Sequence, residues 1–154
     1  MASDTDKSYA AGIIDGEGSI CVHSSHGHKN SGKIYPQIRV KVEQVDPEIC
    51  TWLKETFGGC LYIRQAKHCK NGILYIWLIS CRKAADFLEL TVPYLKLKKS
   101  RAEAAIKLAR GTRRVGAVKG NRFVLPLTEE EKSERLRLAM LVRSKHSRNQ
   151  EVVV

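Results

Sequence analysis

The residues with the most chemical content stand in one run: Ala10, Ala11, Gly12, Ile13, Ile14, Asp15, Gly16, Glu17 and Gly18. The pattern predicts a helix from about Asp6 to Glu17, with two carboxylates, Asp15 and Glu17, in its last turn. A helix dipole disfavours negative charge at that end. Carboxylates held against the dipole call for a cation, and their oxygens suit hard divalent ions. Gly12 and Gly16 are four residues apart, so they share one face of the helix. Each interior glycine costs about 1 kcal/mol relative to alanine, and close approach of a second backbone would offset that cost. On spacing alone, the run fits equally an acidic, glycine-rich helix end followed by a turn.

The elements that must position this run follow from periodicity. SICVHSS (19–25) alternates with period two, setting Ser19, Cys21, His23 and Ser25 on one face and Ile20 and Val22 on the other. A polar, glycine-containing loop, HGHKNSG, leads to KIYPQIRVKVEQV. There Ile34, Pro36, Ile38, Val40 and Val42 face a core, while Tyr35, Gln37, Arg39, Lys41 and Glu43 face out. Pro36 cannot donate to a ladder, which predicts an edge or an irregular start. Asp46, Pro47 and Glu48 open a second helix as N-cap, first position and dipole-compatible acid. Its buried stripe is Ile49, Trp52, Leu53, Thr56 and Phe57, and Gly58-Gly59 stop it. CLYIRQAK and GILYIWLIS form a second strand pair joined through Asn71-Gly72. Both faces of the latter are apolar, so pattern alone does not assign its outward side. RKAADFLEL makes a third helix ended by Pro93. A fourth runs from about Lys98 to Arg110, with Gly111 as its stop. Thr128 and Glu131 set a capping box for a last helix. The order helix, two strands, helix, two strands, helices predicts an α+β domain with an antiparallel sheet, helices on one face and the other face open. A single domain is expected over residues 1–154: a core of about 6–111, then a basic extension and C-terminal helix over about 112–146.

The run at 10–18 resembles the LAGLIDADG motif of homing endonucleases. Two further segments fall where that family places its other active-site groups. VEQVD (42–46) is similar to the strand end carrying a catalytic glutamine, and PYLKLKKSRA (93–102) to the turn-to-helix segment carrying a catalytic lysine. The likeness covers residues 8 to about 110 and implies the αββαββα fold with a four-stranded sheet. It implies Glu17 as metal ligand with the Gly16 carbonyl as helper, Gln44 orienting water, and Lys98 stabilising phosphate charge or tuning the water. Chemistry alone does not separate Lys98 from Lys96. Only one motif is present, and relatives of this length work as homodimers. Ala11, Gly12, Asp15 and Gly16 would then lie at the interface, Asp15 as a structural or capping group, with the two Glu17 carboxylates near each other. The implied activity is Mg²⁺-dependent two-metal hydrolysis of both strands of a long pseudo-palindromic DNA target, in the service of intron homing. Mn²⁺ would substitute for Mg²⁺, and Ca²⁺ would bind without supporting cleavage. The chain departs from the pattern twice. Glu17 stands where Asp is commoner, and the stretch after Gln44 (Val45, Asp46, Pro47, Glu48) lacks the basic residue that relatives often carry.

Composition points the same way. A formal net charge of +11 and a pI near 9.6 imply an anionic partner, nucleic acid being the commonest, and no long apolar span favours a membrane. The resemblance implies double-stranded DNA and no small-molecule substrate. MASDTDKS is not a secretory signal, and five cysteines without a CxxC pair fit reduced thiols in an intracellular protein. The open sheet face offers Ser19, Cys21, His23, Ser25, Tyr35, Gln37, Arg39, Lys41 and Arg64 for hydrogen bonds to base edges. A strand of eight or nine residues spans ~28 Å, about eight base pairs. Between Lys96 and Arg122 there are ten Lys or Arg and one acid, Glu103. Lys99, Arg113 and Arg114 are expected on phosphates. His23, His26, His28 and Cys69 lack paired zinc-ligand spacing. Two alternatives on the same fold are a catalytically silent DNA-binding regulator and an RNA maturase.

Overall fold

The computed structural model of the chain describes residues 2–26, 34–67, 72–111, 117–118, 121–122 and 128–143; for 24–26, 34–36, 117–118 and 121–122 it describes the backbone only. Helix α1 (Asp4–Gly16) begins two residues earlier than predicted because Ser3 and Asp6 form a capping box. The Asp6 N–H donates to the Ser3 hydroxyl (3.1 Å), and the Ser3 N–H donates to the Asp6 carboxylate (2.8 Å). Strands β1 (Gly18–His26) and β2 (Ile34–Gln44) follow, then α2 (Pro47–Phe57), β3 (Cys60–Gln65), β4 (Ile73–Ser80) and α3 (Cys81–Thr91). A 3₁₀ turn (Val92–Tyr94) containing Pro93 leads to α4 (Lys99–Arg110). A two-residue strand pair, β5 (Ala117–Val118) and β6 (Asn121–Arg122), and α5 (Glu129–Arg143) complete the described elements.

The main sheet is antiparallel in the order β1-β2-β4-β3. Register decides what pattern could not. Val42 pairs with Trp77 and Val40 with Ile79, so Tyr75, Trp77 and Ile79 of β4 share the face of the β2 valines. Leu74, Ile76, Leu78 and Ser80 therefore lie on the opposite, open face, beside Lys41 and Glu43. The core takes Ile20, Ile38, Val40, Val42, Trp77 and Ile79 from one sheet face only. Against them pack Ala10, Ala11 and Ile14 of α1, Leu53 of α2, Phe87 and Leu88 of α3, and Leu108 of α4. Phe57, Phe87 and Trp77 meet edge-on with centroids 5.1 Å apart at each contact, and the Trp77 indole N–H donates to the Gly58 carbonyl at 2.8 Å. Cys50, absent from the predicted stripe of α2, is fully buried, while Ile49, Trp52 and Phe57 are only partly so. Pro36 is accommodated because β4 pairs with β2 only from Arg39 onward, leaving residue 36 paired with β1 alone among the described strands. The Thr128–Glu131 capping box of α5 forms as predicted, at 3.1 and 3.2 Å.

Candidate functional site

The end of α1 and the segment before α4 exchange hydrogen bonds over some eighty residues of sequence. The Asp15 carboxylate accepts from three successive backbone N–H groups: Lys96 (2.7 Å), Leu97 (3.1 Å) and Lys98 (2.9 Å). In return the Lys98 ammonium donates to the carbonyls of Ile14 (2.6 Å), Asp15 (2.9 Å) and Gly18 (2.7 Å). Neither helix end has a capping side chain or a compensating charge of its own here. The last turn of α1 holds no basic residue, and the first turn of α4 holds no acid and no side-chain cap. Partial burial pushes the Asp15 carboxyl upward, but the three N–H donors and the nearby Lys98 charge outweigh it and hold it below the usual carboxylate value. Burial lowers the Lys98 pKa, opposed by the attraction of Asp15.

Glu17 is the C-cap of α1 and is exposed; its N–H closes the helix on the Ile13 carbonyl at 2.8 Å. The chain reverses immediately, and Gly18 enters β1 opposite Val42. A Cβ at Gly18 would stand 2.7 Å from the Ile14 Cα, so only glycine fits the reversal. Gln44 ends β2 two residues beyond the Gly18–Val42 pair, partly buried, at the end of the sheet where α1 hands over to β1. Glu17, Gln44 and Lys98 thus lie at one end of the domain. The carboxylate of Glu17 and the carbonyl of Gly16 are hard oxygen donors at the negative end of a helix, which fits a divalent cation. No cluster of three or more His, Cys, Asp or Glu occurs among the described residues. A cation held at Glu17 and the Gly16 carbonyl would complete its shell with water or with donors beyond the described residues.

One expectation for the α1 face is corrected. Ala11 is fully buried in the chain's own core and cannot present its side chain to a partner. Position 11 precedes the glycine face by one residue, about 100° of helical rotation, which turns it inward. Gly12 and Gly16 are exposed, and a Cβ at either would meet nothing within 4 Å. Nothing within the described chain requires glycine there. The Asp15 side chain is engaged within the chain, as a cap for the approach to α4.

The open sheet face reads in rows across β1, β2, β4 and β3. Cys21, Arg39 and Ser80 form one row; Ser19, Lys41, Leu78 and Cys60 the next; Glu43, Ile76 and Tyr62 the third; Leu74 and Arg64 the last. His23 stands opposite Gln37. Lys41 and Arg64 converge on one Glu43 oxygen at 3.0 and 3.6 Å. Arg39 Nε is buried without a hydrogen-bond partner among the described residues. The β1–β2 half is polar, and β4 lays an apolar column beside it. Sequence reasoning missed that column because its outward parity is imposed by the pairing with β2. Ser25 and Tyr35 face each other in the register, but their side chains, with Arg113, Arg114, His28 and Cys69, lie outside the described residues. Lys99 opens α4 and is exposed.

Superposition on solved structures shows that the chain has the LAGLIDADG homing-endonuclease fold. The archaeal intron-encoded homing endonuclease I-Vdi141I, solved in complex with DNA, superimposes with a TM-score of 0.65 at 18% identity, over 96% of this chain and 90% of that one. The homing endonuclease I-CvuI, solved in complex with its target in the presence of Ca, gives 0.62 at 17% identity over 91% and 79%. The homing endonuclease I-TnaI gives 0.57 at 20% over 87% and 85%. In the meganuclease I-SmaMI the match takes 88% of this chain but only 44% of the other, at a TM-score of 0.59 and 16% identity. No family model and no curated protein sequence matches the chain.

Proposed function

We propose that the chain is a site-specific DNA endonuclease that works as a homodimer. The observation that carries this reading is the Glu17 turn: an exposed acidic residue at the end of a helix whose last two turns expose Gly12 and Gly16. Two copies pairing through Gly12 and Gly16 would bring both Glu17 side chains toward one another at the floor of a continuous open sheet surface. The I-SmaMI match supports pairing, since that chain has room for a second unit of this size. DNA in the neighbouring structures, the +11 charge and the polar rows of the open face support double-stranded DNA as partner.

In this reading Glu17 and the Gly16 carbonyl hold the metal, Mg²⁺ by the hardness of its ligands, with Mn²⁺ able to replace it and Ca²⁺ binding without cleavage. The bound ions would supply an activated water and charge neutralisation at the attacking and leaving oxygens. Gln44 orients water at the same end of the sheet, and Lys98 holds the backbone on either side of Glu17. Ser19, Cys21, His23, Ser25, Tyr35, Gln37, Arg39, Lys41 and Arg64 meet base edges, while Lys99, Arg113 and Arg114 meet phosphates. Val45, Asp46, Pro47 and Glu48 offer no basic group near Gln44, so another residue fills that place or none does. No helix among the described residues is long and apolar enough to cross a membrane.

The test is Glu17→Gln, which keeps size and polarity and removes the charge. Cleavage of a duplex bound by the wild-type protein is expected to fall by well over the roughly 100-fold that loss of an outer-shell partner costs a metal site. Binding of the same duplex in Ca²⁺ should stay within a few-fold. Unchanged cleavage would remove Glu17 from the reaction. Tight, selective binding with no cleavage by either protein would leave a DNA-binding regulator.

A further inference from the structure

Resting on the endonuclease reading of the Glu17 turn, we propose that Lys98 is a positioning residue: its ammonium fixes the chain reversal that carries Glu17 and does not donate to the phosphate. A lysine ammonium has three N–H donors and no acceptor. All three are accounted for, by the Ile14, Asp15 and Gly18 carbonyls at 2.6, 2.9 and 2.7 Å. Those carbonyls flank Glu17 on both sides in sequence, and two of them are acceptors that a helix end leaves without partners. The segment bearing Lys98 is itself held by Asp15, which accepts from the N–H groups of Lys96, Leu97 and Lys98. Each segment therefore caps the other, and the two bonds sets close a ring around the turn. Gly18 admits no Cβ against Ile14, so this reversal packs tightly on α1 and accepts only glycine there. Glu17 is the exposed residue between these pinned carbonyls, so the point from which its side chain leaves the backbone is set by them. Turning the ammonium toward a phosphate would strand three carbonyls and open the end of α1.

This assignment makes a distinctive prediction, because a positioning residue acts through the metal ligand and a phosphate donor acts on the transition state. The wild-type protein, Lys98→Ala and Lys98→Arg would be compared in complex with a duplex recovered by the wild type from a randomised library. Mn²⁺ binding to each complex would be followed by electron paramagnetic resonance, and single-turnover cleavage measured against Mg²⁺ concentration. We expect Lys98→Ala to weaken Mn²⁺ binding and raise the Mg²⁺ needed for half-maximal cleavage by about 10–100-fold, with most of the rate recovered at saturating metal. Lys98→Arg should behave similarly, since a planar guanidinium cannot replace a compact ammonium among three converging carbonyls. It also retains the charge and a long side chain, so it remains informative if the alanine variant does not fold. The proposal is overturned if Mn²⁺ binding is unchanged while the rate at saturating Mg²⁺ falls by about 10²–10³-fold, as for loss of a direct transition-state donor. Retention of full wild-type behaviour by Lys98→Arg would overturn it too. Failure of the wild type itself to cleave with Mg²⁺ or bind Mn²⁺ is a separate result, and it sinks the endonuclease reading along with this one.

Discussion

Two polar regions of this molecule are built on opposite terms. At the end of α1 the charged groups of Asp15 and Lys98 have fixed backbone partners at 2.6–3.1 Å, six bonds between two short segments. On the open sheet face the ionic contacts are partly exposed and shared. Lys41 and Arg64 compete for one oxygen of Glu43, and Arg39 Nε has no partner among the described residues. Exposed ion pairs of that kind contribute roughly 0–1 kcal/mol. On the endonuclease reading, the contrast separates two tasks. A group that must hold a reacting centre benefits from being placed before substrate arrives. Groups that must read base edges have to release their partners cheaply, and weak pairs do so.

The contrast can be broken or sharpened in order of expected effect. Gly12→Leu should weaken pairing of two chains by roughly 30-fold or more, as a change at the centre of an interface does, seen by sedimentation equilibrium. The chain itself should stay folded, because a Cβ at Gly12 meets nothing within 4 Å. Gly12→Ala alone should raise chain stability by about 1 kcal/mol. A Gly12→Leu protein that pairs like the wild type would place the interface elsewhere.

Asp15→Ala comes next, with a loss near the upper end for a helix cap, about 2 kcal/mol in denaturant unfolding. Its pH dependence has a definite sign. The folded Asp15 pKa lies below the ordinary carboxylate value, so the unfolded chain binds its proton first on acidification. Its stabilisation is present at neutral pH and above the unfolded pKa, and is lost as pH falls through the lower folded value. Asp15→Asn should flatten that part of the acid limb. An unaltered limb would mean that the clasp contributes nothing to stability.

On the sheet, Arg39→Ala or Lys41→Ala should cost about 1–3 kcal/mol of discrimination at one base position each, read from binding to a panel of single-base variants. Arg113→Ala and Arg114→Ala should weaken all sequences alike and lessen the salt dependence. Identical behaviour of the two sets would remove the open face as the reading surface. The smallest effect concerns the apolar column of β4. Its natural contact in a major groove is the thymine methyl group. Replacing thymine by uracil under Ile76 or Leu78 should weaken binding about fourfold per methyl lost.

Much of the architecture was legible because it is local. The N-cap Asp46, the proline at the first position of α2, the Thr128–Glu131 box and the alternation in β1 and β2 depend on near neighbours, and each forms as read. The start of α1 was misplaced because Ser3 and Asp6 form a capping box with no hydrophobic signal behind it. The interior placement of Ala11 depends on the angle at which α1 meets the sheet, which one-dimensional spacing does not carry. The face of β4 is set by its partner strand, since Leu74 to Ile79 is apolar at every position. Of the site, Glu17, Gln44 and Lys98 were marked by resemblance to a family. That Lys98 spends its donors on the backbone around Glu17 is a tertiary fact, joining residues about eighty positions apart.

The central claim, that a paired Glu17 turn cuts what the open sheet reads, is tested most directly by presenting a randomised duplex library to the wild-type protein with Mg²⁺ and with Ca²⁺. The account predicts recovery of one long, two-fold-related sequence, cut in Mg²⁺ and retained uncut in Ca²⁺. Retention without cleavage in either metal, or recovery of a site lacking two-fold symmetry, would contradict it.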